Sequence, residues 1–306
     1  MKFHILSFLL IISVISSAQI PKVVEGKIIR LEQFNSNYTN ARNIDIWLPK
    51  DYENSDEKYA VLYMHDGQML FDSSIAWNKQ SWDVDDMAST LFEKENITKF
   101  IVVGIWNDGQ NRHADYFPQK PYELLNKAEK KYCSKQLTEK GRIQLDFKPN
   151  SDNYLKFIVQ ELKPYIDKNF KTKIDPNNTY IAGSSMGGLI SLYALCEYPN
   201  IFGGAACLST HWPGIFSIKH NPIPKVFYQY LSKNLPNPAQ HKLYFDYGDQ
   251  TLDALYPSLQ KKVNGIMKKK GYSEKNWMTK FFPGDNHSEN AWKNRLNFPL
   301  LFLFGK

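Results

Sequence analysis

The chain has 306 residues, is 42% hydrophobic and 23% charged, and carries a formal net charge of +7. Such a length supports one large core burying about three-quarters of its unfolded surface, and also allows two domains. The lysines are interleaved with carboxylates, as from Lys127 to Lys140, so they read as solvated helical faces, and no basic stripe or module marks a nucleic-acid surface. Cys133, Cys196 and Cys207 make an odd count. That excludes a dense disulfide framework; a Cys196–Cys207 bond is conceivable, and buried thiols are the simpler reading.

Met1 to Ala18 has the pattern of a secretory signal: Lys2, an apolar run from Phe3 to Ile15, and Ser16-Ser17-Ala18 as a small-residue cleavage site. The run is too short and too interrupted for a membrane span. The expected mature protein is therefore residues 19–306, secreted or periplasmic, with no retained membrane segment. Val23 to Phe34 and Ala41 to Leu48 alternate like an antiparallel strand pair. Tyr59 to Met64 and Phe100 to Ile105 are continuous apolar runs, as in strands covered on both faces. A helix from Trp82 to about Asn96 joins them, which predicts a right-handed crossover. His65-Asp66-Gly67-Gln68 follows the first of these strands, with His65 read as a packed turn histidine.

Residues 106–150 form the least regular region, an insert expected to overhang the functional site. Tyr154 to Phe170 is an amphipathic helix that Pro164 should kink. Tyr180 to Ala182, Gly203 to Leu208, His241 to Tyr247 and Trp277 to Phe282 complete the strands. Pro222 to Leu235, Pro257 to Lys270 and Ser288 to Leu296 read as helices. The sum is a single α/β domain: a mostly parallel central sheet with helices on both faces and an antiparallel pair at the N-terminus.

Gly183-Ser184-Ser185-Met186-Gly187 fits the Gly-x-Ser-x-Gly turn, which carries meaning only between a strand and a helix. Both flank it here. The turn would lift the Ser185 hydroxyl above the sheet and put Met186 at a helix N-terminus, where free amides favour a developing oxyanion. A serine hydroxyl needs a positioned base. Of the seven histidines, only His287 follows both the last strand and the expected acid loop. Asp253 is the favoured acid, with Asp249 the alternative on the same loop. Gln68 and Met186 would supply the oxyanion N–H groups. Trp106, Arg112 and Trp212 are candidate substrate contacts, and Tyr116 and Phe117 could add aromatic stacking. There is no His-Glu-x-x-His and no paired Cys-x-x-Cys, so no metal and no cofactor is called for.

Tyr63-Met64-His65-Asp66-Gly67-Gln68, Trp82-Asp83, Gly183 to Gly188 and Gly284-x-x-His287 together resemble an esterase family of α/β-hydrolases over about residues 25 to 300. The family includes siderophore, feruloyl and acetyl-xylan esterases, S-formylglutathione hydrolases and mycolyltransferases. Tyr247-Gly248 with Leu252-Asp253 is similar to its acid segment; Asp249 is the departure that leaves the acid open. The resemblance implies the α/β-hydrolase fold and a Ser-His-Asp serine esterase acting through an acyl-enzyme on a siderophore or an acyl-carbohydrate ester. An acyltransferase of the same fold, or a catalytically silent binding protein, is the alternative.

Overall fold

A computed structural model describes residues 19–94, 97–143 and 146–306. The expected signal segment lies outside them. Among the described residues no helix is long and apolar enough to cross a membrane.

Eight strands form one sheet in the order β1-β2-β4-β3-β5-β6-β7-β8. They are β1 (Lys27–Phe34), β2 (Arg42–Leu48), β3 (Ala60–His65), β4 (Phe100–Ile105), β5 (Thr179–Ser184), β6 (Gly204–Leu208), β7 (Lys242–Tyr247) and β8 (Trp277–Phe281). β2 pairs antiparallel with both β1 and β4, and every pairing from β4 to β8 is parallel. The α/β-hydrolase fold expected from the sequence is the fold observed, including the antiparallel pair at the N-terminus.

The continuous apolar runs are explained by two buried faces. Successive residues of a strand point to opposite sides. Val61, Tyr63, Ile101, Val103 and Ile181 enter one core cluster. Their neighbours Leu62, Met64, Phe100, Val102, Tyr180 and Ala182 enter the other. One face is covered by the helices between residues 151 and 270, the other by α1 (Val84–Glu93) and the C-terminal helices.

The insert folds as α2 (Arg112–Tyr116), α3 (Gln119–Glu123) and α4 (Lys127–Glu139). Asn126 and Glu129 close a capping box at the start of α4. The amphipathic stretch becomes α5 (Ser151–Lys156), a wider π turn over Phe157–Leu162, and α6 (Lys163–Asn169). Pro164 is the physical cause: it has no N–H for the helical ladder and its ring crowds the carbonyl four residues back, so the backbone widens before it. α7 (Met186–Glu197), α8 (Ile223–Asn234), α9 (Pro257–Lys269) and α10 (Glu289–Arg295) fall where the periodicity places them. The three cysteines are free and buried, with no Cys196–Cys207 bond.

The sequence reading missed α11 (Asn297–Phe304). It is apolar on nearly every side, so helical periodicity gives no signal, and Pro299 sits in its first turn, where no N–H is required. Phe304 stacks on Phe100 with centroids 4.1 Å apart and meets Tyr180 edge-on at 4.8 Å. Phe304→Ala is therefore expected to lower stability by about 3–5 kcal/mol, read as a reduced midpoint in denaturant unfolding.

Candidate active site

β5 ends at Ser184 and α7 starts at Met186, so Ser185 is the single residue between strand and helix. Its backbone sits at φ 58° and ψ −120°, a region that costs on the order of 1–3 kcal/mol and persists only where surroundings hold it. Here the main chain holds it four times over. Ser185 N–H donates to Leu208 O at 2.9 Å, and Ser185 O accepts from Gly188, Leu189 and His211 at 3.1, 3.3 and 3.1 Å. A side chain on Gly183 would meet the Gly187 backbone at 2.9 Å, so only glycine lets helix and strand cross this closely.

Ser185 opens into a cavity of about 830 Å³. Met186, Gln68 and His287 line it as well, together with Arg112, His113, Arg142 and His211, and with the aromatic rings of Trp77, Trp82, Phe216 and Trp292. Met186 is the first residue of α7, so its N–H has no acceptor within the helix. The insert contributes Asn107, Gln110, Arg112, His113 and Arg142 to the wall.

His287 Nδ1 lies 2.5 Å from Asp253 Oδ1, and its ring packs edge-on against Trp292 at 5.0 Å. Asp253 is fully buried. Its Oδ2 accepts from Ser209 Oγ at 2.6 Å and from Gly248 N–H at 2.7 Å. Ser209 Oγ in turn accepts from Trp292 Nε1 at 2.9 Å and from Arg295 at 2.8 Å. Arg295 also holds Asp246 at 2.9 Å and Asp285 at 2.8 Å. Burial opposes ionisation of Asp253, but the His287 hydrogen bond and charge, with Ser209 and Gly248, bring its pKa below the usual carboxylate value. Asp246 lacks that surplus: burial outweighs Arg295 and pushes it up to about 6.

The structure thus brings Asp253, and not Asp249, to His287. Asp249 Oδ1 accepts from Gly284 N–H at 2.9 Å, which ties down the start of the histidine loop. The expected substrate contacts divide. Arg112 lines the cavity, although Asp66 grips its guanidinium at 2.7 Å through both oxygens. Trp106 does not line it: Trp106 Nε1 donates to Asp45 at 2.7 Å, and the ring lies under Arg30 at 4.7 Å. Trp212 is buried elsewhere, donating to Gln260 Oε1 at 2.8 Å. Tyr116 and Phe117 are core residues. Composition flags aromatic rings without saying which side of the sheet they pack on, whereas Trp77, four-fifths exposed, does reach the cavity. His65 is a packed turn histidine: Nδ1 meets Tyr154 OH at 2.8 Å, and burial lowers its pKa to about 3. Ser209, Trp292 and Arg295 were not singled out from sequence. The signal for Ser209 was its place just past β6, since parallel sheets gather their sites at strand C-terminal ends.

A family model described as "Putative esterase" matches residues 36–303. The uncharacterized protein YbbA of Bacillus subtilis (strain 168) is 22% identical over 272 residues, covering 87% of this chain and 93% of that protein. A ferulic acid esterase structure superposes with a TM-score of 0.64 at 18% identity, covering 91% of this chain and 98% of that one. The enterobactin esterase FES from Shigella flexneri, in the presence of enterobactin, superposes with a TM-score of 0.63 at 17% identity, covering 94% of this chain and 60% of that one.

The acid and histidine loops touch main chain to main chain. Asp249 and Gln250 N–H donate to Asp285 O at 3.1 and 3.0 Å, and a side chain on Gly248 would stand 2.1 Å from that same oxygen. Gly248→Ala is expected to force the loops apart, costing about 1–3 kcal/mol. The expected readout is faster amide hydrogen exchange at Asp249 and Gln250, with the exchange of β5 unchanged.

Proposed function

Because the chain belongs to the esterase family of carboxylic-ester hydrolases, we propose that Ser185, His287 and Asp253 perform two-step acyl transfer to water. Ser185 Oγ attacks the ester carbonyl while His287 takes its proton, and Asp253 fixes the imidazole and stabilises its charged form. The N–H groups of Met186 and Gln68 receive the oxyanion. His287 then protonates the leaving alcohol, and in the second step takes a proton from water.

The observation that carries this reading is the 2.5 Å contact between a buried, hydrogen-bonded Asp253 and His287, whose ring lines the same cavity as the strained Ser185. The aromatic and cationic lining supports an ester with an aromatic or sugar ring and polar substituents, such as an acyl-carbohydrate or a siderophore ester. The proteins it resembles include a ferulic acid esterase and an enterobactin esterase.

Ser185→Ala and His287→Ala are each expected to reduce p-nitrophenyl ester hydrolysis to near background. Asp253→Asn should lose roughly 10⁴-fold in kcat, while Asp249→Asn stays within about tenfold. Variants with wild-type rates at Ser185 or His287 would overturn the reading, and a greater loss at Asp249 than at Asp253 would reassign the acid. A panel of acetylated xylan, feruloyl ester and cyclic siderophore triester, compared by kcat/KM, separates the substrate classes.

A further inference from the structure

Arg112 lines the cavity, but its firmest contacts are with the protein itself. Nε donates to Asp66 Oδ1 and Nη2 to Asp66 Oδ2, both at 2.7 Å. Such a parallel fork fixes direction as well as distance. The same guanidinium lies 5.0 Å from the centre of the Tyr116 ring. Asn107 Nδ2 adds a further donor to Asp66 Oδ1 at 2.8 Å. Burial opposes ionisation of Asp66, but the Arg112 charge and hydrogen bonds, with Asn107, bring its pKa below the usual carboxylate value.

Asp66 stands between β3 and the single short turn, Gly67–Met69, that carries Gln68. Its backbone is left-handed, at φ 59° and ψ 46°, a conformation that a residue other than glycine keeps mainly where its surroundings impose it. Asp66 N–H donates to Tyr116 OH at 3.2 Å, and Asp66 O accepts from Met69 N–H at 2.9 Å. Gln68 is tied as well, since its Oε1 accepts from Asn107 N–H at 3.2 Å. A side chain on Gly67 would stand 2.5 Å from the Gly104 backbone, so the turn lies flush against β4. On its other side the loop reaches the elbow: Asp66 Oδ2 is 3.6 Å from where a side chain on Gly187 would begin. Gln68 N–H belongs to the start of the short turn and has no acceptor within it, so its direction follows from the backbone angles of Asp66. Among the described residues, every side-chain hydrogen bond to Asp66 comes from the insert, from Asn107, Arg112 and Tyr116.

Given Gln68 and Met186 as the oxyanion donors read above, we propose that Arg112 is a positioning residue for the oxyanion hole: its fork holds Asp66 in the left-handed conformation that aims the Gln68 N–H at the reacting carbonyl. The insert then completes the catalytic site as well as walling it. No bond changes at Arg112 or Asp66. When Ser185 Oγ bonds to the ester carbon, the carbonyl electron pair moves onto oxygen, and the Gln68 N–H must already face that oxygen. The same oxygen takes up charge again when water attacks the acyl-enzyme. Without its partners Asp66 relaxes toward the commoner extended or right-handed backbone, and the amide turns away. Both half-reactions then slow together, so the loss falls on kcat and leaves KM in place. A direct contact between Arg112 and an anionic substrate would do the reverse, raising KM for anionic esters alone.

Two p-nitrophenyl esters separate these roles: the neutral hexanoate, and the mono-adipate, in which a carboxylate replaces the terminal methyl group. End-point titration of Ser185 with an activated phosphonate ester counts the competent sites, so that every rate is expressed per working serine. Arg112→Gln is expected to lower kcat about 100-fold on both esters, with KM within about threefold of wild type. Arg112→Lys keeps the charge without the fork and should recover about tenfold of that loss. Asp66→Asn is expected to match Arg112→Gln, and the double variant to be no slower than either single one, because the two residues act as a unit. If Asp66→Asn does not fold, the two variants of Arg112, whose side chain is partly exposed, decide the matter. A wild-type kcat in Arg112→Gln, a loss confined to KM of the adipate ester, a loss matched by fewer titrated sites, or no recovery with lysine would overturn the proposal. Turnover that survives Ser185→Ala would instead overturn the nucleophile reading itself, whatever the Arg112 variants do.

Discussion

A carboxylate with no access to water must find its hydrogen bonds inside the protein, and most of the site's construction follows from that requirement at Asp253. An isolated buried carboxylate takes up a proton rather than bear the cost of losing its hydration. The pKa of Asp253 falls below the usual carboxylate value because His287, Ser209 and Gly248 all meet it. Ser209 can do so only because Trp292 and Arg295 fill the acceptor side of its hydroxyl. β6, β7, the acid loop and α10 are thereby committed to one arrangement. Asp246, near the end of β7, also accepts three hydrogen bonds, from Arg295, the Ser209 amide and the Tyr244 hydroxyl, yet burial pushes it up to about 6, so it is the contact with His287 that sets Asp253 apart.

The sheet supplies the second half of the arrangement. Five parallel strands end side by side, so Gln68, Ser185, His211, Asp253 and His287 emerge at the same edge from five different strand ends. Positive-φ backbone gathers at these strand ends, at Asp66, Ser185, Ser209 and Thr251. At Ser185 the strain is tolerated because its own amide and carbonyl are bonded to β6 and to the residues following it.

How legible this was from sequence depended on the range of the interactions. The elbow is local: a strand, a turn and a helix within about twenty residues, so Ser185 and Met186 could be found by pattern. The sheet was legible because two-sided burial leaves unbroken apolar runs. The choice between Asp253 and Asp249 was not, since both lie on one loop. It is the short helix at Thr251–Leu255 that turns Asp253 inward and leaves Asp249 to bind the Gly284 amide. The placement of Trp106 and Trp212 away from the cavity was hidden, because their indole N–H groups are satisfied by Asp45 and Gln260, far apart in sequence. The role of Ser209 was equally hidden, as three of its partners arrive from positions more than forty residues later. α11 escaped because a helix buried all round carries no periodic signature.

The contact between Gly248 and Asp285 constrains how such a protein can be recombined. Because the two connections lie against each other through main-chain atoms, neither has an independent shape to offer a chimera. A segment transplanted from a relative after β7 would bring a carboxylate aimed at an imidazole whose own support had stayed behind. The heritable module is the pair of connections together with the arginine from α10 that spans them, and shuffling at boundaries that divide it would scramble the site while leaving the sheet intact.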